Sequence, residues 1–220
     1  MSKSDGIAAV IDHGAIAWSR GILGSVSTPP HEPLIRRVLG TNFLELKLRK
    51  LQITEHDMTS DIKICVLEGE QTFDVEGKGV GVVDALHAGL LARYAREYQS
   101  LTTVQLVGFK VAADIETKKA HAGVDSVGRV TIDVTNSEGK HFTFSDASRS
   151  VTISITRAML AMVQYFLNAE RAFVTLHNAR RDALTRGRED LVSRYTAEMA
   201  EVVESTSYAE VIENIRKEIA

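Results

Sequence analysis

Cysteine, proline and net charge are all scarce in this sequence of 220 residues. Cys65 is its one cysteine, which excludes an intrachain disulfide framework and a multi-cysteine zinc site and is typical of a reducing compartment. The formal net charge is only -3 at pH 7, so electrostatics predicts neither a nucleic acid nor an anionic membrane as partner. No apolar run approaches the roughly 20 residues of a membrane span, and Asp12, His13 and Arg20 interrupt the apolar stretch near the N-terminus, unlike in a signal peptide. We therefore expect a cytoplasmic protein.

The signatures of the common enzyme classes are also absent from the sequence. Its seven histidines form no His-x-His pair and no His-Glu-x-x-His motif, so we predict no metal site. There is no Gly-x-Ser-x-Gly elbow, and Cys65 alternates with Ile64 and Val66 on a predicted strand, which is typical of a structural thiol. His87 lies on a predicted helix, where it either flanks a pocket or is an ordinary packed or surface residue. We predict a chain that is not an enzyme on its own and uses no cofactor.

All three prolines lie in one cluster, between Pro29 and Pro33, which cannot be the interior of a helix. The cluster separates an N-terminal segment, residues 1–42, from the rest of the chain. Within that segment the stretch from Gly6 to Leu23 is predicted to form a helix, which Gly14 and Gly21 weaken.

The middle of the chain, residues 43–168, contains strands followed by a helix twice in the same order. Alternating apolar residues predict strands between Phe43 and Val75, and apolar residues three to four apart predict a helix from about Val82 to Tyr98. The pattern then predicts further strands over 104–113, 128–134 and 142–144, with a turn at 136–139. This order gives the segment a weak internal two-fold character.

A second helix, which is very apolar, is predicted to end at Leu167. The pattern leaves its beginning open, because Val151 to Ile155 alternate like a strand whereas Ser148 or Ser150 would serve as a helix N-cap.

Beyond it, residues 169–220 form a charged tail without proline. Apolar residues near heptad spacing predict a long helix or a helical pair there, interrupted near Gly187. The tail either packs on its own domain or contacts another subunit or a partner protein.

The most informative local motif lies where a strand is predicted to end and a helix to begin, from Glu76 to Ala85. Glycines at such a junction let the backbone approach a ligand, and the first free N–H groups of a helix can hold a carboxylate or phosphate. The spacing lacks the third glycine of the dinucleotide fingerprint and is not followed by Gly-Lys-Ser/Thr. With Asp84 in the first turn, the motif fits a zwitterionic amino acid, or else a tight turn in which Asp84 complements the helix dipole.

A second glycine cluster runs from Ala122 to Val130. Two glycines around an aspartate ahead of an alternating strand indicate a loop or a bulge, and a binding role is the alternative.

Together these two motifs resemble a known family. The run from Gly77 to Ala85, GKGVGVVDA, resembles the Gly-x-Gly-x-Gly-Pro-Val-Asp-Ala stretch in the C-terminal regulatory domain of 2-isopropylmalate synthases, a domain that citramalate synthases share. The run from Gly123 to Val130 is similar to the family's Gly-x-Asp-Ala-x-Gly-x-Val element, and it precedes a strand and an apolar helix here as it does there. The resemblance covers about residues 43–168.

This resemblance implies an α+β fold of two similar strand–helix units, with antiparallel strands and packed helices, that forms a dimerising regulatory module. In the family the module binds leucine or isoleucine near the subunit interface and inhibits a distant catalytic barrel in leucine biosynthesis or a related pathway. Carried over by position, the implied ligand-binding residues are Gly79, Gly81, Val82, Val83, Asp84 and Ala85 in the first motif, and Gly123 and Asp125 in the second.

The sequence departs from the family in three places. Val82 stands where the family has proline, and residues 144–150 replace the Gly-x-Gly and acidic residue of the second unit. The catalytic barrel, which needs about 250 residues, is missing. We therefore expect a free-standing, non-catalytic homodimer that senses a branched-chain amino acid or a related metabolite. The alternatives are a structural or protein-interaction module that lost effector binding, and a detached regulatory subunit of an acyl-transferring synthase.

Overall fold

A computed structural model describes residues 8–12, 29–113 and 127–204 of the chain, the first range by its backbone alone. In these residues two antiparallel sheets, ordered β1-β2-β3-β4 and β5-β6-β7, pack with four α-helices. The strands are β1 Ala8–Asp12, β2 Leu46–Glu55, β3 Ser60–Glu68, β4 Gln71–Gly79, β5 Gln105–Ala113, β6 Gly128–Thr135 and β7 His141–Ser148. The helices are α1 Glu32–Leu39, α2 Val82–Tyr94, α3 Val151–Thr185 and α4 Glu189–Val203.

Three antiparallel strands followed by a helix occur twice in succession, first as β2-β3-β4-α2 and then as β5-β6-β7-α3. The predicted α+β fold of two similar strand–helix units is therefore confirmed. Strand β3 shows why the pattern forms: Ile62, Ile64 and Val66 are buried against the helices, whereas Lys63 and Cys65 point to the other face. The predicted orientation of Cys65 is also confirmed.

Strand β1 contradicts the helix predicted from Gly6 to Leu23. Ala8–Asp12 pair antiparallel with β2, from Ala8 opposite Thr54 to Asp12 opposite Lys50. The outer edge of β2 offers unpaired backbone groups, and Val10 and Ile11 are β-branched residues that suit a strand. Pairing with a distant strand overrides the weak helical pattern. The rest of the predicted helix lies outside the described residues.

Helix α3 resolves the question about residues 151–155, which are helical. Ser150 is the N-cap, and its Oγ accepts a hydrogen bond from the backbone N–H of Ile153 at 3.4 Å. The helix packs on β6, β7 and β2 and buries Ile153, Phe166 and many other side chains, so it forms the centre of the core. It continues without a break across residue 168, where we placed a domain boundary.

Helix α2 is shorter than predicted, because it ends at Tyr94 and is followed by a 3₁₀ helix at Gln99–Thr103. Ser100 in this 3₁₀ helix donates from both its backbone N–H and its Oγ to the buried carboxylate of Glu170 on α3, at 3.1 and 2.7 Å. A buried carboxylate needs hydrogen-bond donors, and these two bonds fix the 3₁₀ helix against α3.

The charged tail packs on its own chain over its described part. After Gly187, whose φ is 64°, α4 turns back along α3 and buries Met199 and Val202. The interruption predicted near Gly187 is thereby confirmed. A hydrogen-bonded ion pair of 3.0 Å also joins Arg37 on α1 to Glu198 on α4. Within the described residues, no helix has the length and apolar character needed to cross a membrane.

Candidate functional site

The junction between β4 and α2 is so closely packed that two of its glycines cannot carry a side chain. A Cβ added to Gly77 would collide with the carbonyl oxygen of Ala85, and one added to Gly79 would lie 2.5 Å from the backbone nitrogen of Ala85. Gly89 completes the contact from the helix side, since its Cβ would lie 2.8 Å from the carbonyl oxygen of Glu76. These glycines allow β4 and α2 to touch through their backbones, which is a structural role.

Gly81, by contrast, lies in open space at the beginning of α2. No atom would come within 4 Å of its Cβ, and its neighbour Val80 is 79% exposed. The first bond of the helix runs from the N–H of Ala85 to the carbonyl of Gly81 at 2.9 Å. The N–H groups of Val82 and Val83 therefore lack intrahelical acceptors, as does that of the next residue, and a glycine N-cap has no side chain to accept from them. This end of α2 can accept an anion.

Asp84 presents its carboxylate at the same helix end. The side chain is exposed and has no hydrogen-bond or ion-pair partner among the described residues. One turn further along, His87 is half-buried, and its Nε2 is buried without an acceptor or donor in the described part of the chain. Burial lowers the pKa of His87, and the negative charge of Asp84 offsets this only in part. The imidazole of His87 is therefore harder to protonate than that of an exposed histidine.

Of the other predicted ligand-binding residues in the first motif, some lie at the helix end and others lie in the core. Val82 and Val83 are half-buried and pack at the rim of the core. Ala85 is fully buried beneath β4. The structure thus brings Gly81, Asp84 and the two valines to one helix end, whereas Gly79 and Ala85 form the packed contact behind it.

The two predicted residues of the second cluster, Gly123 and Asp125, lie outside the described residues. The last glycine of that cluster is described, and it packs against a helix. A Cβ on Gly128 would lie 3.0 Å from Cγ2 of Val151, the first residue of α3.

The helix beginnings of the two units differ in chemistry. In the second unit, hydroxyl groups occupy the positions around the start of α3: Ser150 caps the helix, and Ser148 Oγ bonds to Ser154 Oγ at 2.8 Å and accepts from the N–H of Ser150. The second helix end has a serine cap, whereas the first, at Gly81, has no side-chain cap. Of these two described helix ends, the first is therefore the better candidate for a ligand site.

Strand β5 carries an apolar surface that the sequence analysis missed. Val107, Phe109 and Val111 are 52%, 44% and 45% exposed, although Phe109 and Val111 pair with Ile132 and Val130, which are fully buried. The described helices leave this strand uncovered, whereas α3 covers the equivalent strand β2 of the first unit. Alternation of apolar residues was visible in the sequence, but the absence of a cover depends on tertiary structure. An exposed apolar row on an edge strand is typical of an interaction surface.

The described part of the chain contains no group of three histidine, cysteine, aspartate or glutamate side chains placed to hold a metal ion. Cys65 is partly exposed on the outer face of the first sheet, between Lys50 and Asp74.

Comparison with known proteins adds no assignment. No protein-family model matches the chain, and no curated protein matches it significantly.

Proposed function

We propose that this chain is a non-catalytic, cytoplasmic regulatory module that binds a branched-chain amino acid or a related small metabolite and works as a homodimer. The open start of α2 carries the proposal, because unpaired N–H groups and an unpaired carboxylate lie together there. The resemblance of residues 77–85 to the regulatory domain of 2-isopropylmalate synthases supports the same ligand class.

The helix end offers both charges that an α-amino acid requires. The ligand carboxylate accepts hydrogen bonds from the N–H groups of Val82 and Val83, with help from the helix dipole. The ligand ammonium pairs with the carboxylate of Asp84, and an aliphatic side chain contacts the half-buried valines. The open space around Gly81 leaves room for the ligand at this helix end. To regulate a partner, the ligand must favour one arrangement of the module by about 1–3 kcal/mol.

Thermal unfolding of the full chain in the presence of each amino acid and of small 2-oxo and 2-hydroxy acids tests the ligand. A ligand at 100 times its dissociation constant adds about 2.7 kcal/mol of stability, which raises the melting temperature by several degrees. We expect this rise with leucine, isoleucine or valine, and we expect Asp84→Asn to abolish it. Asp57→Asn, an exposed aspartate in the β2–β3 turn, is the matched control and should leave it unchanged. No shift with any compound would contradict the sensing half of the proposal.

The uncovered apolar row of β5 supports the dimer. If two copies pair antiparallel about an axis at Phe109, Val107 lies opposite Val111, and Lys110 lies opposite Gly108. Apolar side chains then lie opposite each other, and no two like charges do, which is what a stable strand pairing requires. A second copy would thus extend the sheet and place these apolar side chains against their counterparts across the new strand pair.

Sedimentation equilibrium tests this surface. The native chain is expected to be a dimer, and Phe109→Asp is expected to give a folded monomer, because it places a charge in the apolar contact. Val174→Asp is the control, since Val174 is equally exposed, at 48%, on α3. A monomeric native chain, or a dimer that survives Phe109→Asp, would contradict the assignment of β5.

A second candidate is a structural dimer that does not bind an effector. The packing of Gly77 and Gly79 favours it, because part of the glycine motif is explained without any ligand. The experiments above distinguish the two functions, because a purely structural module would be a dimer whose melting temperature no compound raises. A partner protein bound by the charged tail, residues 169–220, and a role as a detached regulatory subunit are compatible with either result.

A further inference from the structure

A cavity of about 480 Å³ lies between α1, β7 and the first half of α3, separate from the start of α2. Its walls are mainly apolar, formed by Ile35 and Phe43 on one side and by Phe144 and Ala161 on the other. The volume is within the range of pockets that hold small organic molecules, about 300–1,000 Å³.

The walls of this cavity are held in place by hydrogen bonds that use up some of its polar groups. Asn168 accepts from the N–H of Leu44 at 2.9 Å and donates to the carbonyl of the same residue at 2.8 Å. Gln164 Oε1 accepts from the N–H of Leu46 at 2.8 Å. These bonds tie residues 44–46 to α3 and so fix that part of the cavity wall.

The polar groups that remain at the cavity include several donors, together with the carboxylate of Glu32, whose Oε1 already accepts from Arg36 Nε. Gln164 Nε2 and Ser145 Oγ have no partner among the described residues. The guanidinium of Arg36 stacks on the ring of Phe43 at 3.9 Å and bonds through Nε to Glu32 at 2.7 Å, which leaves its terminal nitrogens without a partner in the described chain. A guanidinium edge, an amide N–H and a hydroxyl that line one cavity are suited to a carboxylate.

We infer that this cavity is a second ligand site, which binds a small monocarboxylic acid with an apolar body. The carboxylate lies against Arg36, Gln164 and Ser145, and the apolar body lies between Phe144 and Ile35. The inference goes beyond the proposed function and does not depend on it, because none of these residues belongs to the start of α2.

Isothermal titration calorimetry of the full chain with hexanoate, and with hexanamide as its neutral counterpart, tests the site. We expect hexanoate to bind at least about tenfold more tightly than hexanamide, since hydrogen bonds to a charged group are stronger than those to a neutral one. Arg36→Gln should remove that difference. Arg37→Gln is the matched control, because Arg37 is a neighbour on the same helix that pairs with Glu198 outside the cavity.

Two further variants make the result specific. Ala161→Phe adds bulk to the wall without changing charge and should abolish binding of both probes. Asp84→Asn should leave hexanoate binding unchanged, which separates this site from the one at α2. Equal affinities for hexanoate and hexanamide, no binding of hexanoate at millimolar concentration, or unchanged binding in Arg36→Gln would each overturn the inference.

Discussion

Replacing Gly77 by alanine tests the closest contact in the molecule, that between β4 and α2. The added Cβ would collide with the carbonyl oxygen of Ala85 and lie 2.9 Å from the backbone nitrogen of Gly89. Both atoms belong to the helix backbone, so no rotation of a side chain can relieve the collision. Strand and helix must move apart, and the fully buried side chains of Leu86 and Leu90 would lose part of their packing.

The expected loss follows from the cost of overpacking a core. Inserting a methyl group into a well-packed site costs about 1–3 kcal/mol, and two backbone collisions place Gly77→Ala at or above the upper end of that range. The lower entropy of the unfolded alanine chain offsets only about 0.4–1 kcal/mol of it. Gly81→Ala is the matched control: no atom lies within 4 Å and φ is -155°, so the weak N-cap preference, about 0.5 kcal/mol, is largely offset by the same gain from the unfolded chain.

Urea unfolding followed by far-ultraviolet circular dichroism measures both variants. The midpoint should fall markedly for Gly77→Ala and only slightly for Gly81→Ala, with similar slopes, because the slope reports the surface exposed on unfolding. If Gly77→Ala were as stable as the native chain, or if the two variants lost equal stability, the close packing of β4 on α2 would be refuted.

Two further predictions concern the second helix and the buried histidine. Ser150→Ala should destabilise the fold by about 1 kcal/mol in urea unfolding, because α3 loses its N-cap, whereas Ser150→Asp should retain most of the stability, and equal losses would exclude a capping role. Because the folded chain lowers the pKa of His87 below its ordinary value of 6.5, the unfolded chain binds the proton more readily, and stability should fall as pH drops below about 6.5. His87→Gln should flatten that part of the curve relative to the native chain, and an unchanged slope would contradict burial of this imidazole.

Where local patterns decide the structure, the sequence was a sufficient guide. The alternation of Ile62, Ile64 and Val66 predicted β3, because a strand with one buried face must alternate. The turn at 136–139 was equally predictable, since Gly139 adopts a φ of 74° that favours glycine. The repeated order of strands and helix followed from the same rules.

Where distant contacts decide, local patterns were not sufficient. Ala8–Asp12 form a strand because the edge of β2 is free to pair with them, and that edge is created by the fold. Residues 151–155 alternate like a strand, yet they are helical because Ser150 caps them and both sheets bury α3 on several sides.

In the candidate site, too, local patterns predicted some residues correctly, whereas the roles of others depend on distant contacts. The sequence predicted the helix start with Gly81 and Asp84, since glycine and aspartate are typical of that position. It could not separate Gly81 from Gly77, because the collision with Ala85 exists only when β4 lies on α2. Nor could it show that Phe109 is exposed, because a strand pattern does not tell which strands a helix will cover.

Titration calorimetry of the full chain with leucine, in the native form and as Asp84→Asn and Asp57→Asn, tests the central claim most directly. We expect leucine to bind the native chain and Asp57→Asn, and its affinity to fall about tenfold or more in Asp84→Asn, because a charge-assisted hydrogen bond contributes about 1.5–3 kcal/mol. Isoleucine and valine are titrated in the same way. Equal affinity of the native chain and Asp84→Asn, or no binding of any of the three amino acids, would contradict the claim.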